Sequence, residues 1–152
     1  MTRELLHITL IFLGNTDVTR VPDIVRSVES VAKRHAPYAS RTGEAGARID
    51  DRPTSRRGGV AWLRLAEGGH ETAQLALDVD RELGSGAYDA VHAPRPHLTV
   101  ARNVHRAELD ALREVATKFE ASWRTDRIVL FRSYTSPHGS RYEELAGFPL
   151  TG

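Results

Sequence analysis

Two short apolar runs constrain this chain more than any other feature, because each carries a histidine and a threonine two positions apart. His7 and Thr9 lie in residues 5–14, and His97 and Thr99 lie in residues 95–102. In a β-strand, positions i and i+2 point to the same side, so each run would place both polar groups on one face. A single such histidine is typical of a satisfied buried residue. Two of them in parallel contexts indicate a functional site.

The patterns around the two runs predict a mixed fold. Each run is followed by a short loop and a helical pattern, and the two predicted helices span Thr19 to His35, with Thr19 as the cap, and Arg106 to Trp123. A further helix is predicted at 70–83, strands at 5–13, 38–49, 60–65, 97–102, 128–133 and 141–148, and loops at 50–59, 87–96 and 135–140. Since strands and helices do not alternate strictly, the order predicts an α+β fold with antiparallel pairing. A duplicated unit with facing halves would bring His7 and His97 together across a cleft.

Composition limits the number of domains, the kinds of metal site and the cellular compartment that can be expected. The 152 residues suffice for one domain over 1–152, and 40% hydrophobic with 27% charged residues is ordinary for a globular protein, so disorder is excluded. There is no cysteine, which excludes disulfides and thiolate metal sites. No apolar run is long enough for a membrane span or a signal core, which predicts a soluble, cytoplasmic protein.

Charge predicts where a phosphate could bind. The net charge of +1 argues against a protein that coats polyanions generally. Arginines nevertheless gather in and just before the predicted loop 50–59, at Arg48, Arg52, Arg56 and Arg57. This loop is either a phosphate-attracting rim or a solvated loop. Trp62, in the next predicted strand, is interpreted as a core residue, with a base-stacking platform as the alternative.

Paired imidazoles can cleave a phosphodiester at neutral pH. Near its ordinary pKa of about 6.5, one imidazole can accept a proton from water while another donates one to the departing oxygen. Threonine hydroxyls on the same face can donate to the phosphoryl oxygens where charge builds. No metal or other cofactor is needed, and with threonine beside each histidine the ligand set is too thin for zinc.

The residues also resemble a known family. His7-Ile8-Thr9-Leu10 and Pro96-His97-Leu98-Thr99-Val100-Ala101-Arg102 resemble the two motifs of the 2H phosphoesterase superfamily, in particular its RNA 2′,3′-cyclic phosphodiesterases, historically called 2′-5′ RNA ligases. The C-terminal segments 130–133, 139–142 and 148–150 are similar to the family's closing hairpin. The resemblance covers nearly the whole chain.

The resemblance implies a bilobal α+β fold, with two pseudo-symmetric sheet and helix lobes around a central cleft lined by both motifs. It implies hydrolysis of a terminal RNA 2′,3′-cyclic phosphate to a 2′-phosphate, with one histidine as general acid and the other as general base. Carried onto this chain, His7 would protonate the leaving 3′ oxygen and His97 would activate water. Phosphate-binding candidates follow in the order Thr9 with Thr99, then Arg132, then Arg102 and Tyr142.

One departure from the family pattern concerns the first lobe. Relatives usually carry a strand and a helix before the first motif, whereas here the motif starts seven residues from Met1. We therefore expect a shortened first lobe with an exposed sheet edge, and a monomer or a weak dimer through that edge.

Three alternatives remain open on the sequence. The substrate could be a small cyclic phosphodiester such as a cyclic nucleotide or ADP-ribose cyclic phosphate, and turnover that improves with RNA length would argue against it. The same site could join 2′-5′ ends in the reverse reaction. The chain could also be a nucleotide-binding module without catalysis, although two complete motifs argue against this.

Overall fold

The chain forms two compact units. The computed structural model describes residues 6–48, 59–89, 92–104, 120–136 and 139–152, with the separate helical positions 108, 111, 114 and 118. The first unit comprises Met1–Thr9, Ala39–His70 and Arg95–Trp123, and the second comprises Leu10–Tyr38, Glu71–Pro94 and Arg124–Gly152. The predicted α+β fold with two lobes and antiparallel strands is confirmed.

A four-stranded sheet organises the first unit. Its strands are β1 (Tyr38–Arg48), β2 (Gly59–Glu67), β3 (His97–Val104) and β4 (Ser122–Thr125), in the spatial order β3-β2-β1-β4. Tyr38 and the last two residues of β4 are counted in the second unit. β2 pairs antiparallel with both β1 and β3. Along β2 the side chains alternate, and Ala61 and Leu63 are buried with Val104 of β3. The opposite face of β2 and β3 is the one with polar side chains.

A β-bulge in β3 changes which residues lie on that polar face. Trp62 pairs with Thr99, whereas its neighbour Ala61 pairs with Ala101, so Val100 is the extra residue. Because partners in a ladder share a face, the bulge places Arg102, opposite Val60, on the same face as Thr99. Strict alternation from His97 would have placed Arg102 on the buried face.

Two helices and a hairpin form the core of the second unit. These are α1 (Val21–Ala32), α2 (Gly69–Leu83, whose first two residues belong to the first unit), β5 (Arg127–Ser136) and β6 (Gly139–Pro149). Apolar side chains at helical spacing on α1 and α2 pack against the hairpin of β5 and β6 and against Leu150, which follows it. The buried cluster consists of Ile24, Val28, Val31, Ala32, Leu75, Val79, Ile128, Phe148 and Leu150.

The start of α1 differs from its prediction. A short 3-10 helix, Val18–Arg20, precedes α1, and its cap is Asp17. The Asp17 carboxylate accepts hydrogen bonds from the backbone N–H and the hydroxyl of Thr19, at 2.9 and 2.8 Å. The prediction of Thr19 as the cap was wrong because an ionised carboxylate accepts a backbone N–H more strongly than a hydroxyl does.

Two predicted elements were wrong in extent. The first apolar run is not a nine-residue strand: of its described residues only Ile8 pairs, in an isolated bridge, and Leu10, Ile11 and Leu13 pack against the core of the second unit. The predicted helix from Arg106 has helical positions up to 118, but Ser122 and Trp123 belong to β4. The predicted loop 50–59 lies outside the described residues except for Gly59.

Three further predictions concern membrane spans, an exposed sheet edge and a dimer. Among the residues that the structure describes, no helix has the length and apolar character to cross a membrane. Within the same residues, the outer edge of β3 pairs only through Ile8. A dimer through this edge stays a prediction.

Candidate active site

One bridge between backbones brings the two histidine motifs together. Ile8 pairs antiparallel with Leu98, so His7 stands opposite Thr99 and Thr9 opposite His97. Side chains next to a bridged pair point to the face opposite that pair, so all four polar residues share one face. Diagonal neighbours in such a pairing lie roughly 7–8 Å apart, within reach of one phosphate group between two imidazole rings.

Both motifs lie in the first unit. The sequence suggested that the facing halves of a duplicated unit would bring the two histidines together, one from each half. Instead, His7 with Thr9 lies beside β3 of the same sheet that carries His97 and Thr99. His7, His97 and Thr99 are half-buried, and Thr9 is exposed.

The imidazole of His97 is held in one tautomer. Its Nδ1 lies 2.8 Å from the backbone oxygen of Arg95. A carbonyl oxygen can only accept, so Nδ1 carries the proton, and in the neutral ring Nε2 holds the lone pair. Arg95 lies between Pro94 and Pro96, whose rings restrict the backbone that positions this carbonyl. The neutral His97 ring can therefore act as a base through Nε2.

Strand β2 adds two side chains to the face that carries His97 and Thr99. Sequence reasoning ranked one of them as core before base stacking and gave the other no role. Arg64 pairs with His97 and is exposed, while Trp62 pairs with Thr99 and is half-buried. The interpretation of Trp62 as a core residue was wrong, because the buried face of β2 is formed by Ala61 and Leu63. The alternation of Ala61, Leu63 and Leu65 with Trp62 and Arg64 was the signal available in the sequence.

The indole of Trp62 fits against its two neighbouring strands. Its ring centroid lies 5.7 Å from that of His97, with a tilt of 56° between the planes. On the other side Trp62 pairs with Gly46 of β1, and a Cβ at Gly46 would lie 2.4 Å from the indole Nε1. The indole therefore extends over the β1 backbone at a point where only glycine leaves room.

The sequence model of the 2′-5′ RNA ligase superfamily matches residues 1–136 of the chain. The chain belongs to this superfamily.

Two curated relatives of this superfamily member carry the same name. It is 29% identical to an RNA 2′,3′-cyclic phosphodiesterase of Thermus thermophilus, over 97% of this chain and 73% of that protein. It is 22% identical to a protein of the same name from Aquifex aeolicus, over 96% of this chain and 78% of that protein. The phosphodiesterase class predicted from the paired motifs agrees with these names.

Solved structures share the fold. The crystal structure of TT0787 from Thermus thermophilus matches with a TM-score of 0.68 at 22% identity, covering 97% of this chain and 79% of that one. Escherichia coli LigT complexed with 3′-AMP matches with a TM-score of 0.66 at 22% identity, covering 98% of this chain and 79% of that one. At this identity the likeness shows the fold alone.

Two predicted phosphate contacts of this superfamily member lie on the hairpin of the second unit. Arg132 of β5 pairs with Glu143, and Tyr142 of β6 pairs with the next residue, Ser133. Consecutive pairs in a ladder point to opposite faces, so the side chains of Arg132 and Tyr142 lie on opposite faces of the hairpin. Arg132 donates at 3.4 Å to the hydroxyl of Tyr134, which donates at 2.7 Å to Glu143. The phosphate role of Arg132 and Tyr142 stays a prediction.

A buried carboxylate holds the loop that follows α2. Asp80 accepts hydrogen bonds from the hydroxyl of Ser85 and from the backbone N–H groups of Ala87 and Tyr88, the latter two at 2.9 and 3.3 Å. These bonds, that of Ser85 first, lower the pKa of Asp80. The hydroxyl of Tyr88 donates to the carbonyl oxygen of Leu10, the residue after Thr9. The loop is thereby tied to the segment that leaves the first motif.

The described residues contain no group of three histidine, aspartate or glutamate side chains placed to hold a metal ion.

Proposed function

We propose that the protein hydrolyses a terminal RNA 2′,3′-cyclic phosphate to a 2′-phosphate by paired histidine catalysis, without a metal. The single observation that carries the proposal is the pairing of Ile8 with Leu98, since it gives His7, Thr9, His97 and Thr99 a common face. Membership in the 2′-5′ RNA ligase superfamily and the names of both curated relatives support the same substrate.

His97 serves as the general base in this proposal. Its Nδ1–H is engaged with the Arg95 carbonyl, so the lone pair on Nε2 is available to take a proton from water. The water oxygen forms the new bond to phosphorus. His7 gives its proton to the 3′ oxygen as the bond between that oxygen and phosphorus breaks. The products are a 2′-phosphate and a 3′-hydroxyl. His97 then releases the proton that it gained, His7 takes one up from water, and the starting state is restored.

Three donors on the same face stabilise the charge on the phosphoryl oxygens. Thr9 and Thr99 supply hydroxyls, and Arg102 supplies a guanidinium that can bind two oxygens at once. The support for Arg102 is its register opposite Val60, beyond the bulge, together with its exposed side chain. We therefore rank Arg102 before Arg132 as the guanidinium that contacts the phosphate.

The alternatives differ in substrate or in outcome. A small cyclic nucleotide would undergo the same chemistry, and LigT in complex with 3′-AMP shows that a protein of this fold can hold a mononucleotide. Joining of 2′-5′ ends would use the same displacement with the 5′-hydroxyl of a second strand in place of water, so that its oxygen forms the new bond to phosphorus as the bond to the 3′ oxygen breaks. A nucleotide-binding module without turnover would use the same face.

The test is incubation with an oligonucleotide that ends in a 2′,3′-cyclic phosphate, in the presence of a chelator. We expect opening to the 2′-phosphate with a bell-shaped pH profile, and a loss of about 10²-fold or more in His7→Ala and in His97→Ala, because each removes a proton-transfer group. His35→Ala is the matched control, since His35 lies in the second unit and pairs with Asp78 at 3.0 Å. Activity that survives both active-site changes, or that the chelator abolishes, would refute the proposal.

A further inference from the structure

We propose that the indole of Trp62 is the stacking surface for the base of the nucleotide whose phosphate reacts. This inference rests on the proposed function and extends it from the phosphate to the base. It would make Trp62 a binding residue, rather than a packing residue of the sheet.

The position of Trp62 within the sheet is the first argument. Trp62 pairs with Thr99, and its ring lies beside that of His97, so the indole adjoins two residues of the proposed phosphate site. A nucleotide held by its cyclic phosphate has its base within one ribose of the reacting group. An aromatic ring at this distance is placed to meet the base.

The burial of Trp62 is the second argument. A tryptophan that serves only to fill a core is enclosed by apolar side chains, whereas Trp62 is half-buried and lies on the face opposite Ala61 and Leu63. Its indole extends over Gly46, so the β1 backbone supports it from the side of the sheet. Such a ring is fixed in position yet keeps accessible surface, which is what base stacking requires.

The charge around Trp62 is the third argument. Arg64 lies two positions along β2 on the same face, opposite His97 and exposed. A flat apolar ring next to guanidinium groups is the combination with which proteins bind single-stranded nucleic acid without reading its sequence. We therefore expect Trp62 to accept any of the four bases, with purines favoured by their larger ring area.

The test compares two substrates that share the reacting ring. One is adenosine 2′,3′-cyclic phosphate and the other is methyl riboside 2′,3′-cyclic phosphate, which lacks a base. Removal of a stacking partner lowers kcat/KM about 5- to 150-fold. We expect Trp62→Leu to lose this factor on the adenosine substrate, mainly through KM, and to change the methyl riboside rate less than about twofold, which is small beside that factor. Trp62→Phe is expected to retain most of the preference.

Gly46→Ala is the matched variant that keeps the indole and moves it. Its new Cβ would meet Nε1 at 2.4 Å, so the ring must shift, and we expect the same loss confined to the adenosine substrate. If Trp62 only holds His97, both substrates lose rate equally and through kcat, and the inference is overturned.

A binding measurement separates this inference from the proposed function. The chain has two tryptophans, so in a Trp123→Phe protein the fluorescence comes from Trp62 alone. We expect adenosine 2′-phosphate to quench this emission and ribose 2-phosphate to leave it unchanged. Quenching without any turnover would refute the proposed hydrolysis and keep the stacking site. Turnover without quenching would refute the stacking site and keep the hydrolysis.

Discussion

In the proposed mechanism, the hydrogen bond between His97 Nδ1 and the Arg95 carbonyl assigns different tasks to the two histidines. It leaves Nε2 of the neutral ring as an acceptor, which suits the residue that activates water. His7 then has to supply the proton that the leaving oxygen needs. Two residues of one type on one face can thus be given opposite tasks by a single backbone contact.

This division predicts different responses to the leaving atom. A 3′-thio analogue of the cyclic phosphate leaves as a thiolate, which needs little protonation. On this substrate we expect His7→Ala to regain about the 10²-fold that it loses on the normal substrate, because the loss of a general acid no longer matters. His97→Ala is expected to stay impaired, since water must still be activated. Rates of both variants on both substrates decide the matter, and the reverse pattern of rescue would exchange the two roles.

The site residues divide into those that local sequence revealed and those that it did not. The histidine and threonine pairs were predictable, because their spacing in apolar runs is a local pattern. Trp62 was interpreted as a core residue before a stacking residue, because an apolar side chain on a strand looks the same in the sequence whether its face is buried or open. The face of Arg102 could not be predicted from alternation, because it depends on the bulge at Val100 and hence on pairing with β2.

Helices and strands with a local sequence pattern were predicted, whereas a segment whose structure depends on tertiary contacts was not. The helices α1 and α2 and the strands from β1 to β3 were predicted because each carries its own periodicity or turn residues. The first apolar run has the pattern of a strand, yet the part of it that the structure describes makes only one bridge, at Ile8. Its later residues pack in the core of the second unit instead. Such an outcome depends on the tertiary structure, which the local pattern does not contain.

The loop after α2 predicts a measurable dependence of stability on pH. Asp80→Asn replaces one acceptor oxygen with a donor that faces a backbone N–H. We expect the free energy of unfolding to fall by about 1–3 kcal/mol at neutral pH. Hydrogen bonds, led by that of Ser85, hold the pKa of Asp80 below its ordinary 3.8. The stabilisation is therefore complete above the unfolded-state pKa and is lost as pH falls through the lower folded-state pKa. The variant and the wild type should converge in acid.

Denaturant unfolding of both proteins over a range of pH measures this difference. Asp126→Asn is the control, because Asp126 is exposed and precedes β5 in the same unit. We expect its free energy of unfolding to stay within about 0.5 kcal/mol of the wild type. A gap between Asp80→Asn and the wild type that widens in acid would contradict the account.

Charge over the entire chain limits how RNA can be attracted. The 21 basic and 20 acidic residues nearly cancel, so a general field cannot gather a polyanion. Any preference for a long substrate over a mononucleotide must come from local groups of cations. The arginines of the predicted loop 50–59, which lies outside the described residues except for Gly59, are the densest such group in the sequence.

We therefore predict that this arginine group sets the preference for RNA over a mononucleotide. In a combined Arg52→Ser, Arg56→Ser and Arg57→Ser variant, kcat/KM for a cyclic-phosphate oligonucleotide should fall. The slope of log kcat/KM against the logarithm of the salt concentration should become shallower by about 0.7 for each phosphate that the variant no longer neutralises. Turnover of adenosine 2′,3′-cyclic phosphate should stay unchanged, because a mononucleotide offers no second phosphate.

A second triple variant isolates position from net charge. Arg26→Ser, Arg81→Ser and Arg127→Ser also remove three positive charges, from arginines of the second unit whose side chains are exposed and whose ion pairs contribute little to stability. If the arginines of the loop act by position, only the first variant loses the preference for the oligonucleotide. Equal losses in both variants would mean that net charge alone attracts RNA. No loss in either would mean that the substrate is recognised entirely at its terminal nucleotide, as a small cyclic phosphodiester would be.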